Sequence, residues 1–200
     1  MSRRARIALL AAAGAIAIPA AAALAHPLPD PTVMIVAPSK DALEIRINDM
    51  TQVGDESVAL KRQFHGVGTG MLAANERQDL LDFLVARAQA HLAVTQSGQR
   101  LAFTVTSRAL HGADLPVDSS ESLSLDVVLR ATPAPARGPG GATEITVRDF
   151  RDDAHVVRCA VMAQDVRLLS VSQGTIDATA PIATGIELSR TESLTLRWAE

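Results

Sequence analysis

From Leu123 to Arg130 the chain reads with a period of two. Leu123, Leu125, Val127 and Leu129 recur at alternate positions, set against Ser122, Ser124, Asp126 and Arg130. Successive side chains of an extended chain point to opposite faces, so this spacing makes a strand with one buried face. A helix would return its apolar residues every three to four positions instead. The pattern recurs along the chain. Leu43, Ile45 and Ile47 alternate with Glu44, Arg46 and Asn48, and Ile145 and Val147 continue it up to Asp149. His155, Val157, Cys159 and Val161 fall on one face, and Leu194, Leu196 and Trp198 close the chain. Strands with one apolar face belong to antiparallel sheets.

Turn residues punctuate these runs. Ser39-Lys40-Asp41 connects Thr32–Ala37 to the Leu43 strand as a hairpin, and Gln96-Ser97-Gly98-Gln99 reads as a second one. After it, Leu101, Phe103 and Val105 are expected to face inward. Residues 110–120 read as a polar loop, and 132–141 as a Pro/Gly-rich loop. One helix is expected at residues 76–91, where Leu80, Leu81, Leu84, Ala88 and Leu92 recur at helical spacing. Asn75 and Gln78 would form its capping box, and His91 lies in the last turn, where a cation complements the helix dipole. Residues 49–73 read as a turn-rich loop. Gly66, Gly68 and Gly70 do not make a dinucleotide fingerprint, because Met71 stands where the third glycine belongs. About nine short strands and one helix predict a mainly β fold, an antiparallel β-sandwich of Greek-key type with the helix on an edge or end.

The first residues have a different character. Ser2-Arg3-Arg4-Ala5-Arg6 is a positive segment, Ile7 to Ile18 is apolar, Pro19 breaks it, and Ala23-x-Ala25 offers small residues for a signal peptidase. Residues 1–25 therefore read as a signal peptide and 26–200 as a single β-sandwich domain, periplasmic or secreted and soluble. An uncleaved anchor is the alternative, but the apolar run is short for a bilayer span. Arg3-Arg4 lacks the Phe-Leu of a twin-arginine signal, so general secretion is expected. The whole sequence carries 19 basic against 22 acidic side chains, and the signal takes three arginines with it. An acidic domain is poorly suited to nucleic acid or an anionic membrane. Four Phe, one Trp and no Tyr leave few rings for stacking on sugars or bases. The single cysteine, Cys159, rules out an internal disulfide. It reads either as a small buried hydrophobe or as a reactive thiol open to an intermolecular disulfide.

The order of these features resembles a known family. An export signal ends in Ala25-His26-Pro27-Leu28-Pro29. A Leu80-x-x-Phe83-Leu84 helix leads into His91-Leu92-x-Val94 and a glycine hairpin, a Leu-rich strand runs into Thr132-Pro133-x-Pro135, and Phe150 and His155 precede an apolar strand. This succession is similar to the exported N-terminal domain of HupE/UreJ-type permeases, a group associated with nickel and related metals. The resemblance spans most of residues 26–200. It implies an outward-facing domain without the family's membrane part, so transport itself is not carried over.

Cleavage before His26 would leave an α-amine and an imidazole on one residue, a chelating pair of nitrogens suited to Cu(II) or nickel. Pro27 has no amide proton, so the chelate cannot extend into the backbone. Asp153-x-His155 puts a carboxylate and a second imidazole on one strand face, as co-ligand or orienting partner. Small periplasmic copper carriers with a mature N-terminal histidine use a comparable Asp-x-His pair. The metal site is thus expected at His26, Asp153 and His155, with His65 and His111, read as loop residues, in reserve. No Gly-x-Ser-x-Gly or His-Glu-x-x-His occurs, and Asp152-Asp153 read as a solvated turn, so a non-enzymatic metal-binding or metal-delivery role is expected. The alternative is a metal-free interaction domain that docks on an envelope membrane protein through a sandwich edge or the 132–141 loop. The exported chain is expected to begin at His26, which intact-mass and N-terminal sequencing of secreted material checks; any other terminus removes the chelate.

Overall fold

The computed structural model describes residues 32–52, 54–66, 68, 70–135, 141–149, 157–189 and 191–199. In chain order the strands are β1 (Val33–Pro38), β2 (Leu43–Gln52), β3 (Leu92–Gln96), β4 (Gln99–Arg100), β5 (Thr104–His111), β6 (Leu123–Ala131) and β7 (Thr143–Asp149). They continue with β8 (Val157–Met162), β9 (Arg167–Val171), β10 (Thr175–Ile176), β11 (Ile182–Leu188) and β12 (Leu194–Ala199). Two helices, α1 (Asp55–His65) and α2 (Ala74–His91), lie between β2 and β3. The strands form a seven-stranded sheet in the order β10-β11-β8-β1-β2-β6-β5 and a five-stranded sheet in the order β4-β3-β7-β12-β9.

The alternating patterns become the inner faces of these sheets. Met34, Val36, Leu43, Ile45, Leu123, Leu125 and Leu129 of the larger sheet share one apolar core with Ile145, Val147, Leu194, Leu196 and Trp198 of the smaller. That shared core makes the fold a β-sandwich, as the period-two runs require. The first hairpin forms as expected, with β1 antiparallel to β2. The second turns through Ser97 and Gly98, both at positive φ, a conformation that matches the twist of a two-residue hairpin.

One pairing departs from the antiparallel expectation. β1 also pairs β8, and this pair is parallel, with Val33 opposite Arg158 and Val36 opposite Val161. Alternation along a strand reports which face is buried but not which strand lies alongside, so neither sequence pattern could reveal it.

The stretch 101–105 also differs. Leu101, Ala102 and Phe103 are not strand; they carry the chain from the edge of the smaller sheet at β4 to the edge of the larger at β5. Leu101 and Phe103 are partly buried against the core as expected, but Val105 is 36% exposed beside a bulge at Val105/Ser107. An edge strand has a neighbour on one side only, so its residues lose cover there.

A larger difference is α1, in the stretch that reads as a loop. Its inward stripe is Ser57, Leu60, Lys61 and Phe64, at helical spacing but half polar, so the hydrophobic period is absent. Ser57 and Lys61 are nonetheless fully buried. They face the backbone of the loop between β5 and β6. Ser57 Oγ donates to the Glu121 carbonyl at 2.7 Å, and Lys61 Nζ donates to the carbonyls of Pro116 at 3.1 Å and Ser119 at 2.8 Å. Burial pushes the Lys61 amine below the usual lysine range, partly opposed by the nearby charges of Asp118 and Glu121. Gly66, at φ 72°, ends the helix and returns its N–H to the Arg62 carbonyl at 2.9 Å.

The second helix starts two residues before the expected bound, and its cap is also displaced. Glu76 accepts the Ala73 N–H at 2.7 Å, whereas Asn75 is already helical and Gln78 donates to Asp82. The chain turns at Ala73, which puts Glu76 rather than Gln78 three residues into the helix. Leu80, Leu84, Val85 and Ala88 are buried, and α2 packs against α1, β3, β5 and β6 at one side of the sandwich.

Replacing Lys61 by Met keeps the apolar stem and removes the donors, leaving the part-buried carbonyls of Pro116 and Ser119 without the amine. The expected loss is about 1–3 kcal/mol, read as a lower urea midpoint at unchanged slope. An unchanged midpoint would mean that the lysine does not anchor the loop.

Candidate functional site

His26, Asp153 and His155 lie outside the described residues, as does Phe150. What the structure defines is where the chain leading to each of them joins the sheet. Thr32 and Val157 are the described residues at the starts of β1 and β8, and these strands are parallel neighbours. The Arg158 N–H donates to the Thr32 carbonyl at 2.9 Å, continuing the ladder before the first residue of β1. Parallel strands point the same way, so the chain runs into both from the same end of the sheet.

Two of the remaining histidines are held by carboxylates. His65 and His111 do not sit in loops as expected; His65 is the last residue of α1 and His111 the last of β5. Each ring meets a carboxylate. His65 Nδ1 lies 3.0 Å from Glu76 Oε2, joining the end of α1 to the first turn of α2. That contact and the Ala73 N–H hold the Glu76 carboxyl below the usual glutamate range. His111 Nε2 lies 2.9 Å from Asp126 Oδ2, and the other oxygen of Asp126 accepts a hydrogen bond from Asn48 Nδ2. Asn48 and Asp126 are directly opposite on β2 and β6, on the solvent-facing side of the larger sheet. A carboxylate that accepts from one ring nitrogen sets the ring's orientation and leaves the other nitrogen to a ligand. His111 also borders a cleft of about 520 Å³ with Arg77, Gln78 and Asp114, between the start of α2 and the end of β5.

Among the described residues no group of three or more His, Cys, Asp or Glu side chains is placed to hold a metal ion. Cys159 follows the buried reading. It is 6% exposed, on the inner face of β8, and burial pushes its thiol up to about 12. A buried thiol held in its protonated form fits the small-hydrophobe reading rather than the reactive one. No described helix is long and apolar enough to cross a membrane.

The partners that the sequence reading missed are Glu76, Asn48, Asp126 and Lys61. Asn48 and Asp126 carried a usable signal, since both fall on the polar face of alternating strands. Their meeting depends on β2 pairing with β6, which local pattern does not encode. No known protein family matches the chain, and no curated protein matches its sequence.

Glu76 provides a pH test. Its folded-state acidity is raised, so its contribution to stability is fully present above the ordinary glutamate range and is lost as pH falls through its lowered value. Thermal melts of the wild type and Glu76→Gln from neutral pH to about pH 3 are expected to differ most at neutral pH and to converge in acid. A constant gap would mean that the carboxylate's charge plays no part.

Proposed function

We propose that this chain is an exported, non-enzymatic metal-binding domain of HupE/UreJ-like type. In this reading His26, once exposed as the first residue, chelates Cu(II) or Ni(II) through its α-amine and imidazole. Asp153 and His155 supply the second imidazole and its carboxylate. The observation that supports it best is the parallel pairing of β1 with β8. His26 stands seven positions before Val33 and His155 two before Val157, and both strands start at the same end of the sheet. Two segments of that length joining adjacent strands at a common end have the reach to share one ion. An antiparallel arrangement would have sent them to opposite ends. Of the described histidines, His65 and His111 are each oriented by a carboxylate, and the single thiol is buried.

Calorimetric titration of the chain beginning at His26 with Cu(II) and with Ni(II) tests the proposal. Submicromolar binding is expected for one of the two, weakened by more than about a hundredfold in His26→Ala and about tenfold or more in His155→Ala. Micromolar or weaker binding that does not respond to His26→Ala would sink it.

A further inference from the structure

Beside α2 a groove of about 550 Å³ separates the helix from the crossover between β4 and β5. It owes its depth to the residues that α2 contributes there. Ala86 and Ala90, one helical turn apart, end at Cβ and leave open the volume that larger side chains would fill. Leu129 of β6, fully buried, contributes to the lining, as do Leu101 and Phe103, both partly buried. This volume falls in the range of small-molecule sites, about 300–1,000 Å³, and an apolar lining with few polar groups is their usual make-up.

One charged side chain lines the groove. Arg100 Nη2 donates to the Leu92 carbonyl at 2.8 Å, which fixes the guanidinium there and leaves its other donors for an anion. In a chain with more acidic than basic groups, a single cation against an apolar trough selects for an occupant with an apolar body and a negative end. We propose that this groove binds a free single-chain carboxylate, with its hydrocarbon chain along Leu101, Phe103 and Leu129 and its head group on Arg100. The assignment is independent of the metal reading, since none of these residues belongs to it.

Calorimetric titration with dodecanoate below its micellar concentration tests it, with dodecyltrimethylammonium as a probe of the same tail and opposite charge. One saturable site is expected for dodecanoate, with binding at least about tenfold weaker for the cationic probe. Arg100→Gln is expected to weaken dodecanoate binding about tenfold, the usual effect of losing a charge-assisted hydrogen bond. Ala90→Trp is expected to abolish it by filling the groove. Ala86→Phe, at an exposed helix position, should do the same and stands in if Ala90→Trp does not fold. Absence of saturable binding, equal affinity for the cationic probe, or binding indifferent to Arg100→Gln and the filling variants overturns the proposal. So does co-sedimentation with anionic phospholipid vesicles by a protein that leaves free dodecanoate unbound.

Discussion

The position of β1 between β2 and β8 holds the larger sheet together. On one side β1 meets β2 through a short hairpin, which local sequence can form unaided. On the other it meets β8, a strand more than a hundred residues later in the chain, in parallel. Parallel neighbours cannot be joined by a tight turn, so the intervening strands and both helices form the connection. β2, β6 and β5 lie to one side of β1, and β8, β11 and β10 to the other. Without its two ladders the seven-stranded sheet would be two pieces. The same strand is buried at Met34 and Val36, so its hydrogen bonds form where water cannot compete. Its pairing with β8 is also the observation on which the proposed site at His26 and His155 rests.

The other side of the sandwich relies on polar contacts inside the fold. The loop between β5 and β6 turns its carbonyls inward, where each would be costly without a donor. Ser57 and Lys61 of α1 reach those carbonyls, and Gly54 donates its N–H to Ser120 from the start of the helix. Among the described residues no buried side-chain nitrogen or oxygen lacks a hydrogen-bond partner. The helices are linked to each other by His65 with Glu76 and by the tilted rings of Phe64 and Phe83, whose centroids are 5.7 Å apart with 56° between their planes. Arg87 lies over the exposed face of Phe83, 6.0 Å from its centroid. This side is where the sandwich leaves space: α2 covers the gap with leucine and valine toward the core and with alanine toward the crossover.

Legibility in the sequence followed the chemistry of burial. β2, β6, β8 and β12 could be read residue by residue because one face of each is wholly apolar, and α2 because Leu80, Leu84 and Ala88 keep a helical period. α1 escaped notice because two of its four inward positions are Ser57 and Lys61, whose burial depends on a loop some sixty residues away. The cap of α2 was misplaced by two residues because Asn75–Gln78 and Ala73–Glu76 offer competing signals. Only the path of the chain decides between them.

The amino-acid sequence by itself determined the secondary structure wherever one face is apolar, the β-sandwich class, the helix that covers it and the hairpins at Ser39 and Gly98. These follow from periodicity and turn chemistry, which act over a few residues. The tertiary structure alone decided the parallel partner of β1, the burial of Lys61, the bond of Asn48 to Asp126 and the groove beside Ala86 and Ala90. Each of these depends on which distant segments meet, and that is set by the packing of the whole core rather than by the residues nearby.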